Sequence, residues 1–198
     1  MHRGREAGRF QMDDHSSLPG DCGRLCGLCM ISVQSSVTQA TQPTAPRPLG
    51  RTPWLLLAAL LLHILEEWAG FPQWATVHFG TTTAGFYLAS HVPIVVLAVW
   101  IVARAARVGA TTLDVWIFGV ALIAFATNAV FHLIATGLFM EYSPGLVTGV
   151  LLYLPLTARL WPQLTANLGR RSARRAALLG VGLSVFVIAS LMIDMPTW

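Results

Sequence analysis

The chain has no lysine, and charge of either sign is scarce: 11% of its 198 residues are charged, against about 25% in soluble domains. After residue 50 the only carboxylates are Glu66, Glu67, Asp114, Glu141 and Asp194. So few charges cannot clothe the surface of a soluble domain, and that class is excluded. Cysteine is nearly absent as well. Cys22, Cys26 and Cys29 leave one thiol over in any pairing, so no disulfide framework is implied. The net charge of +4 rests on thirteen arginines. They lie in the N-terminal segment and between apolar blocks, not along a basic face interleaved with aromatics, which argues against nucleic-acid binding.

Residues 1–50 read as a disordered N-terminal tail. They hold Glu6, Asp13, Asp14 and Asp21, and the stretch from Ser32 to Pro48 is rich in Ser, Thr, Gln and Pro. Such a segment buries too little apolar surface to offset the entropy of ordering. It also lacks an apolar run of signal-peptide length. The cysteine spacing C-x3-C-x2-C resembles the cluster motif of radical-SAM enzymes, but no α/β barrel follows it. We read it as a chance match in a start-site extension, with a later initiator such as Met30.

Residues 51–198 are apolar in long blocks, and about 20 residues of helix cross a bilayer core. Five spans are expected: 54–69, 84–103, 113–140, 144–160 and 176–193. The fold class is therefore all-α, a polytopic membrane helix bundle. The stretch 70–83, with Phe71, Trp74 and Phe79, reads as a loop at the interface, and the tryptophans near span ends as interface anchors. Arg47, Arg51, Arg104, Arg107, Arg159 and Arg170, Arg171, Arg174 and Arg175 all fall on one side if the N-terminus is cytoplasmic and the C-terminus outside.

Ionisable groups inside spans are costly and ask for a partner or a role. His63, Glu66 and Glu67 lie in the first span, His91 in the second, and Asn128 and His132 in the third, while Tyr142 and Thr148 frame the start of the fourth. His63 reaches Glu66 at i,i+3 and Glu67 at i,i+4, and Asn128 and His132 are again i,i+4. Counting the rise per residue puts all three histidines roughly 10 Å below the outer surface. Helices entering from alternate directions thus bring their polar residues to one layer. Gly145 and Gly149 form a small-xxx-small pair for close helix approach, and Pro144 suits the first turn of the fourth helix.

His63-Ile-Leu-Glu66-Glu67, Asn128-x3-His132 and Tyr142-Ser-Pro144-Gly145 with Thr148 together resemble the HXXEE-motif family of uncharacterised prokaryotic membrane proteins, over about residues 54–193. The resemblance implies an integral membrane protein and names no activity. The placement expected is the inner membrane of a prokaryotic cell.

Histidines with carboxylates suit Zn²⁺, Fe²⁺ or Mn²⁺. The order H-x-x-E-E is similar to the inverted zinc-protease motif H-x-x-E-H, but Glu67 replaces its second His, which counts against peptidase chemistry. The leading expectation is a metal-dependent hydrolase or oxidoreductase acting on a lipid-like substrate, with membrane lipids as its partners. His63, Glu66, His91 and His132 would hold the metal and Glu67 would be the general base. Asn128 or Tyr142 would orient a ligand histidine or stabilise an oxyanion, and Thr148 is grouped with them as a catalytic residue. Two alternatives stay open: a metal-free acid–base isomerase, and a proton- or cation-coupled transporter.

Overall fold

The structure, a computed structural model, describes residues 46–192, and among them there is no β-strand. The three cysteines lie outside the described residues. The elements are α1 (Pro53–Trp68), α2 (Phe71–His78), α3 (Ala84–Ala106), α4 (Thr112–Phe139), a single turn α5 (Leu146–Thr148), a π-helical turn (Gly149–Tyr153) and α6 (Leu154–Met192).

Local chemistry sets most of the ends. Pro53 opens α1, where its missing N–H costs nothing. The Thr83 hydroxyl caps α3 by accepting from Phe86 N at 3.1 Å. At α4 a capping box pairs Thr111 with Asp114, whose carboxylate also receives Arg104 Nε at 2.7 Å and Arg107 Nη2 at 3.0 Å. Asp114 is buried, and these donors offset the cost of burying its charge.

Among the described residues three helices are long and apolar enough to cross a membrane, or four if α1 and α2, bent by 64°, form one span. Five spans are expected from the sequence, and the difference lies in the long α6, which breaks at Gly169. There the backbone leaves the helix at φ 72° and ψ 155°, where a residue with a Cβ would be strained. On one side of the break Leu164 and Leu168 pack at Gly119 of α4, and on the other side Ala176 packs at that same residue. Farther out, Gly149 meets Ala129 and Gly180 meets Val120, Ile123 and Ala124. The limbs 146–168 and 170–190 therefore run in opposite directions along α4. The limb after Gly169 begins earlier than residue 176, and helix resumes before the expected span does.

Two further differences follow from burial. Residues 71–78 are a helix, and Trp74 is 8% exposed within an aromatic group with Phe71, Phe79 and Phe139, so it is no interface anchor. A bond of 2.5 Å between His78 Nε2 and Glu141 Oε1 fastens α2 to the loop after α4. Pro144 precedes the helix it was expected to open. Helix begins at Leu146, and Pro144 packs over Gly70.

The core, with Leu56, Val102, Phe118, Leu122, Leu160 and Leu164, lies toward the end of the bundle that carries Arg47, Arg104, Arg107 and Arg170. Leu61, Leu65, Val92, Val96, Ile134, Leu138, Leu178 and Phe186 point outward and are exposed. Soluble monomers rarely show so much outward apolar surface, whereas lipid covers it at no cost.

Candidate metal centre

The HXXEE sequence works by putting its two carboxylates on different sides of α1. A step of one residue turns a helix by about 100°. Glu67 shares the inner face with His63, while Glu66 faces the loop that leads into α5.

Glu66 accepts Gly145 N at 3.1 Å and Val147 N at 3.0 Å on Oε1, and Thr148 N at 2.8 Å on Oε2. The Tyr142 hydroxyl also donates to Oε1. These amides belong to the start of a helix, which has no internal acceptors for them, and a carboxylate there also matches the helix dipole. Glu66 thus joins α1 to the first turn of the next helix. Burial and the Glu66 carboxylate push the Tyr142 hydroxyl up to about 12.

Glu67 is 4% exposed and faces the imidazoles. Its Oε1 lies 3.0 Å from His132 Nε2 and 3.4 Å from His63 Nε2. Its Oε2 accepts the Tyr87 hydroxyl at 2.8 Å and lies 3.8 Å from His91 Nε2. The His63 and His132 rings meet edge to face at 5.2 Å between centroids. Asn128 Nδ2 donates to His63 Nε2 at 2.9 Å and lies 3.3 Å from His132 Nε2.

The outer nitrogens are all engaged. His63 Nδ1 meets Thr148 Oγ1 at 2.7 Å, and His132 Nδ1 meets Ser143 Oγ at 3.0 Å. His91 Nδ1 faces the Tyr87 carbonyl at 2.7 Å, and a carbonyl only accepts, so Nδ1 carries the proton. In the neutral ring His91 Nε2 then holds a lone pair toward the carboxylate. Imidazoles tied down at one nitrogen and convergent at the other are the usual arrangement around a metal.

Distances decide what such a group can hold. His63, Glu67 and His132 each offer a donor atom, and these atoms lie within 4.8 Å of one another. For a tetrahedral zinc site with bonds of about 2.0 Å, neighbouring donors stand about 3.3 Å apart. The two Glu67–imidazole separations bracket that value. Charge points the same way. A buried carboxylate whose neighbours are imidazoles and one tyrosine hydroxyl is costly and calls for a bound cation or a proton on one ring.

Gly145 closes the site from the loop side. Its φ is +103°, and a Cβ there would stand 2.7 Å from His132 Cε1 and 2.8 Å from His63 Cε1. This glycine admits the backbone to the imidazoles, whereas Gly149 makes the expected close helix approach, with a Cβ 3.0 Å from that of Ala129. The π-turn that follows carries Tyr153, whose ring sits 5.0 Å from His63. Such turns are frequent at functional sites.

Beside and below the centre lies a cavity of about 590 Å³ between α1, α2, α3, α4 and the last limb. His63, Glu67, Tyr87, His91, Asn128 and Tyr153 reach its wall, and most of the remainder is aliphatic or aromatic.

The structure therefore brings His63, His132, Glu67 and Asn128 together, with His91 next to Glu67 on the cavity side. Thr148 supports His63. Glu66 and Tyr142 are apart from the group, joined to each other. Sequence reading missed Tyr87, Ser143 and Tyr153. Tyr87 stands four residues before His91, a spacing that signals a shared face, and Ser143 lies inside the Tyr-Ser-Pro-Gly stretch.

Fold and site define an all-helical protein of membrane type organised around one buried His/Glu centre. Residues 54–160 match the family described as protein of unknown function with HXXEE motif, and the chain belongs to that family. No curated protein and no solved structure matches the chain.

Proposed function

We propose that the protein is a metal-dependent enzyme of a prokaryotic inner membrane, acting on an apolar, lipid-like substrate. The observation that carries this reading is the convergence of His63, His132 and Glu67, with Glu67 Oε1 at near-tetrahedral spacing from both Nε2 atoms and with His63 and Glu67 on the wall of an apolar cavity. His63, His132 and Glu67 hold a divalent ion, with zinc, iron and manganese all compatible with the donor set. The ion supplies Lewis acidity and an acidified water, the common currency of hydrolytic metal sites.

The other residues have tasks that follow from their contacts. Thr148 and Ser143 hold His63 and His132 by their outer nitrogens. Asn128 lies against both inner nitrogens, and a half-turn of its amide presents oxygen in place of nitrogen to the ion. His91, its Nδ1 proton committed to a carbonyl, offers Nε2 as the proton acceptor nearest the carboxylate. Glu66 and Tyr142 position the loop that carries Gly145. The centre lies at the end of the bundle away from the arginines, and the positive-inside tendency puts that end outside the cytoplasm.

Elemental analysis of purified protein after exposure to Zn²⁺, Mn²⁺ and Fe²⁺ tests this. About one equivalent, lost in His63→Ala and His132→Ala, is the expected result. Protein that binds none of the three ions overturns it. One observation favours a second reading, acid–base chemistry without a metal. As it stands, the Asn128 amide donates to His63 Nε2 and a proton on His132 Nε2 donates to Glu67 Oε1, which closes the hydrogen-bond network without an ion.

A further inference from the structure

The cavity below the centre has a definite depth. Below the polar layer it runs on α3 from His91 to Ile101 and on α4 from Asn128 to Ile117, and above that layer Phe79, Phe86 and Phe131 also line it. At 1.5 Å per residue these walls extend about 15 and 16 Å beyond the polar layer. They agree, so the trough has a floor near Ile101 and Ile117. Ala98 and Ala121 face the cavity from opposite walls, each seven residues from its polar residue and so about 10 Å down. Small side chains at that level keep the trough open to its floor.

The polar layer carries an unanswered donor. Tyr153 is 1% exposed, its ring lies beside His63 and forms part of the cavity wall, and its hydroxyl has no hydrogen-bond partner in the protein. A buried hydroxyl left unpaired is costly. An oxygen on a bound molecule would answer it, next to the proposed metal ligands.

We propose that the substrate is a single-chain lipid with an oxygen function, seated with that oxygen at Tyr153 and Glu67 and its tail running down the trough. An extended chain advances about 1.2 Å per bond, so 15 Å accommodates roughly twelve methylenes. The trough acts as a ruler, with Ala98 and Ala121 setting the clearance. This inference rests on the His/Glu layer being the reacting centre.

The test is equilibrium binding of radiolabelled 1-octanol, 1-dodecanol and 1-hexadecanol, and the matching alkanes, to full-length protein in amphipol. Affinity should rise up to about fourfold per methylene as far as dodecanol and then level off. Ala98→Phe, and independently Ala121→Phe, should leave octanol binding intact and bring the plateau down to octanol. Tyr153→Phe should weaken the alkanols by about tenfold and leave the alkanes unchanged. Affinity that climbs through hexadecanol in wild type and both alanine variants overturns the ruler. Alkanes binding as well as alkanols overturn the oxygen anchor. Metal content measured on the same samples separates the two proposals. An intact ruler in metal-free protein defeats only the metal reading, and a loaded protein without the ruler defeats only this one.

Discussion

Glu67 of α1 and His132 of α4 meet at 3.0 Å between Oε1 and Nε2, the carboxylate 4% exposed and the imidazole fully buried. Removing one member leaves the other buried without its partner, at a cost of about 3–5 kcal/mol. In chelator-treated protein, Glu67→Ala and His132→Ala should each lower stability by that order. The double variant should cost less than the two together by about 1–3 kcal/mol. Thermal or denaturant unfolding of all four proteins in one detergent measures this, and strictly additive losses would show that the two residues are not coupled.

Gly145→Ala should be more damaging than a methyl group suggests. Its φ of +103° disfavours any Cβ, at about 1–3 kcal/mol, and that Cβ would press on both imidazoles. The loop must move off the histidines, so metal affinity should fall at least tenfold, as when a ligand loses its orienting neighbour. Metal titration of the variant against wild type reads this directly.

The Tyr142 contact predicts a pH dependence of definite sign. The hydroxyl donates to Glu66 only while protonated, and its folded value is raised to about 12 from the usual 10. The stabilisation is therefore complete below pH 10 and lost as pH rises through 12. Tyr142 is half exposed, so the contribution is screened to about 1 kcal/mol. Wild type should lose stability over that alkaline window and Tyr142→Phe should not, in unfolding measured across the range.

Much of the arrangement was legible in the sequence because hydropathy and helical spacing are local signals. The i,i+4 pairs His63/Glu67 and Asn128/His132 do share faces, and the layer assembled from four segments is real. The division of labour between Glu66 and Glu67 was not legible. It depends on which side of α1 meets the loop carrying Gly145, a tertiary fact that spacing within one helix does not contain. Trp74 misled for a related reason. An aromatic between two spans reads as an anchor until packing against Phe71 and Phe139 buries it. The early start of the last limb was hidden by Arg170, Arg171, Arg174 and Arg175, which end an apolar run without ending a helix.

At the arginine end, Asp114 closes the α4 capping box and receives two guanidinium groups. Asp114→Asn removes the charge both arginines answer and should cost about 2 kcal/mol or more. The centre lies toward the other end of α4, so metal content should not change. Unfolding and elemental analysis of the same preparation check both halves.

The central claim is that Glu67, and not Glu66, completes a metal site with His63 and His132. Its most direct test is metal content per chain in wild type, His63→Ala, His132→Ala, Glu67→Gln and Glu66→Gln after identical loading. About one equivalent is predicted in wild type and in Glu66→Gln, where the single amide oxygen still accepts Gly145 N and Val147 N, and none in the other three. Loss of metal in Glu66→Gln with retention in Glu67→Gln, or a wild type that stays empty, would contradict it.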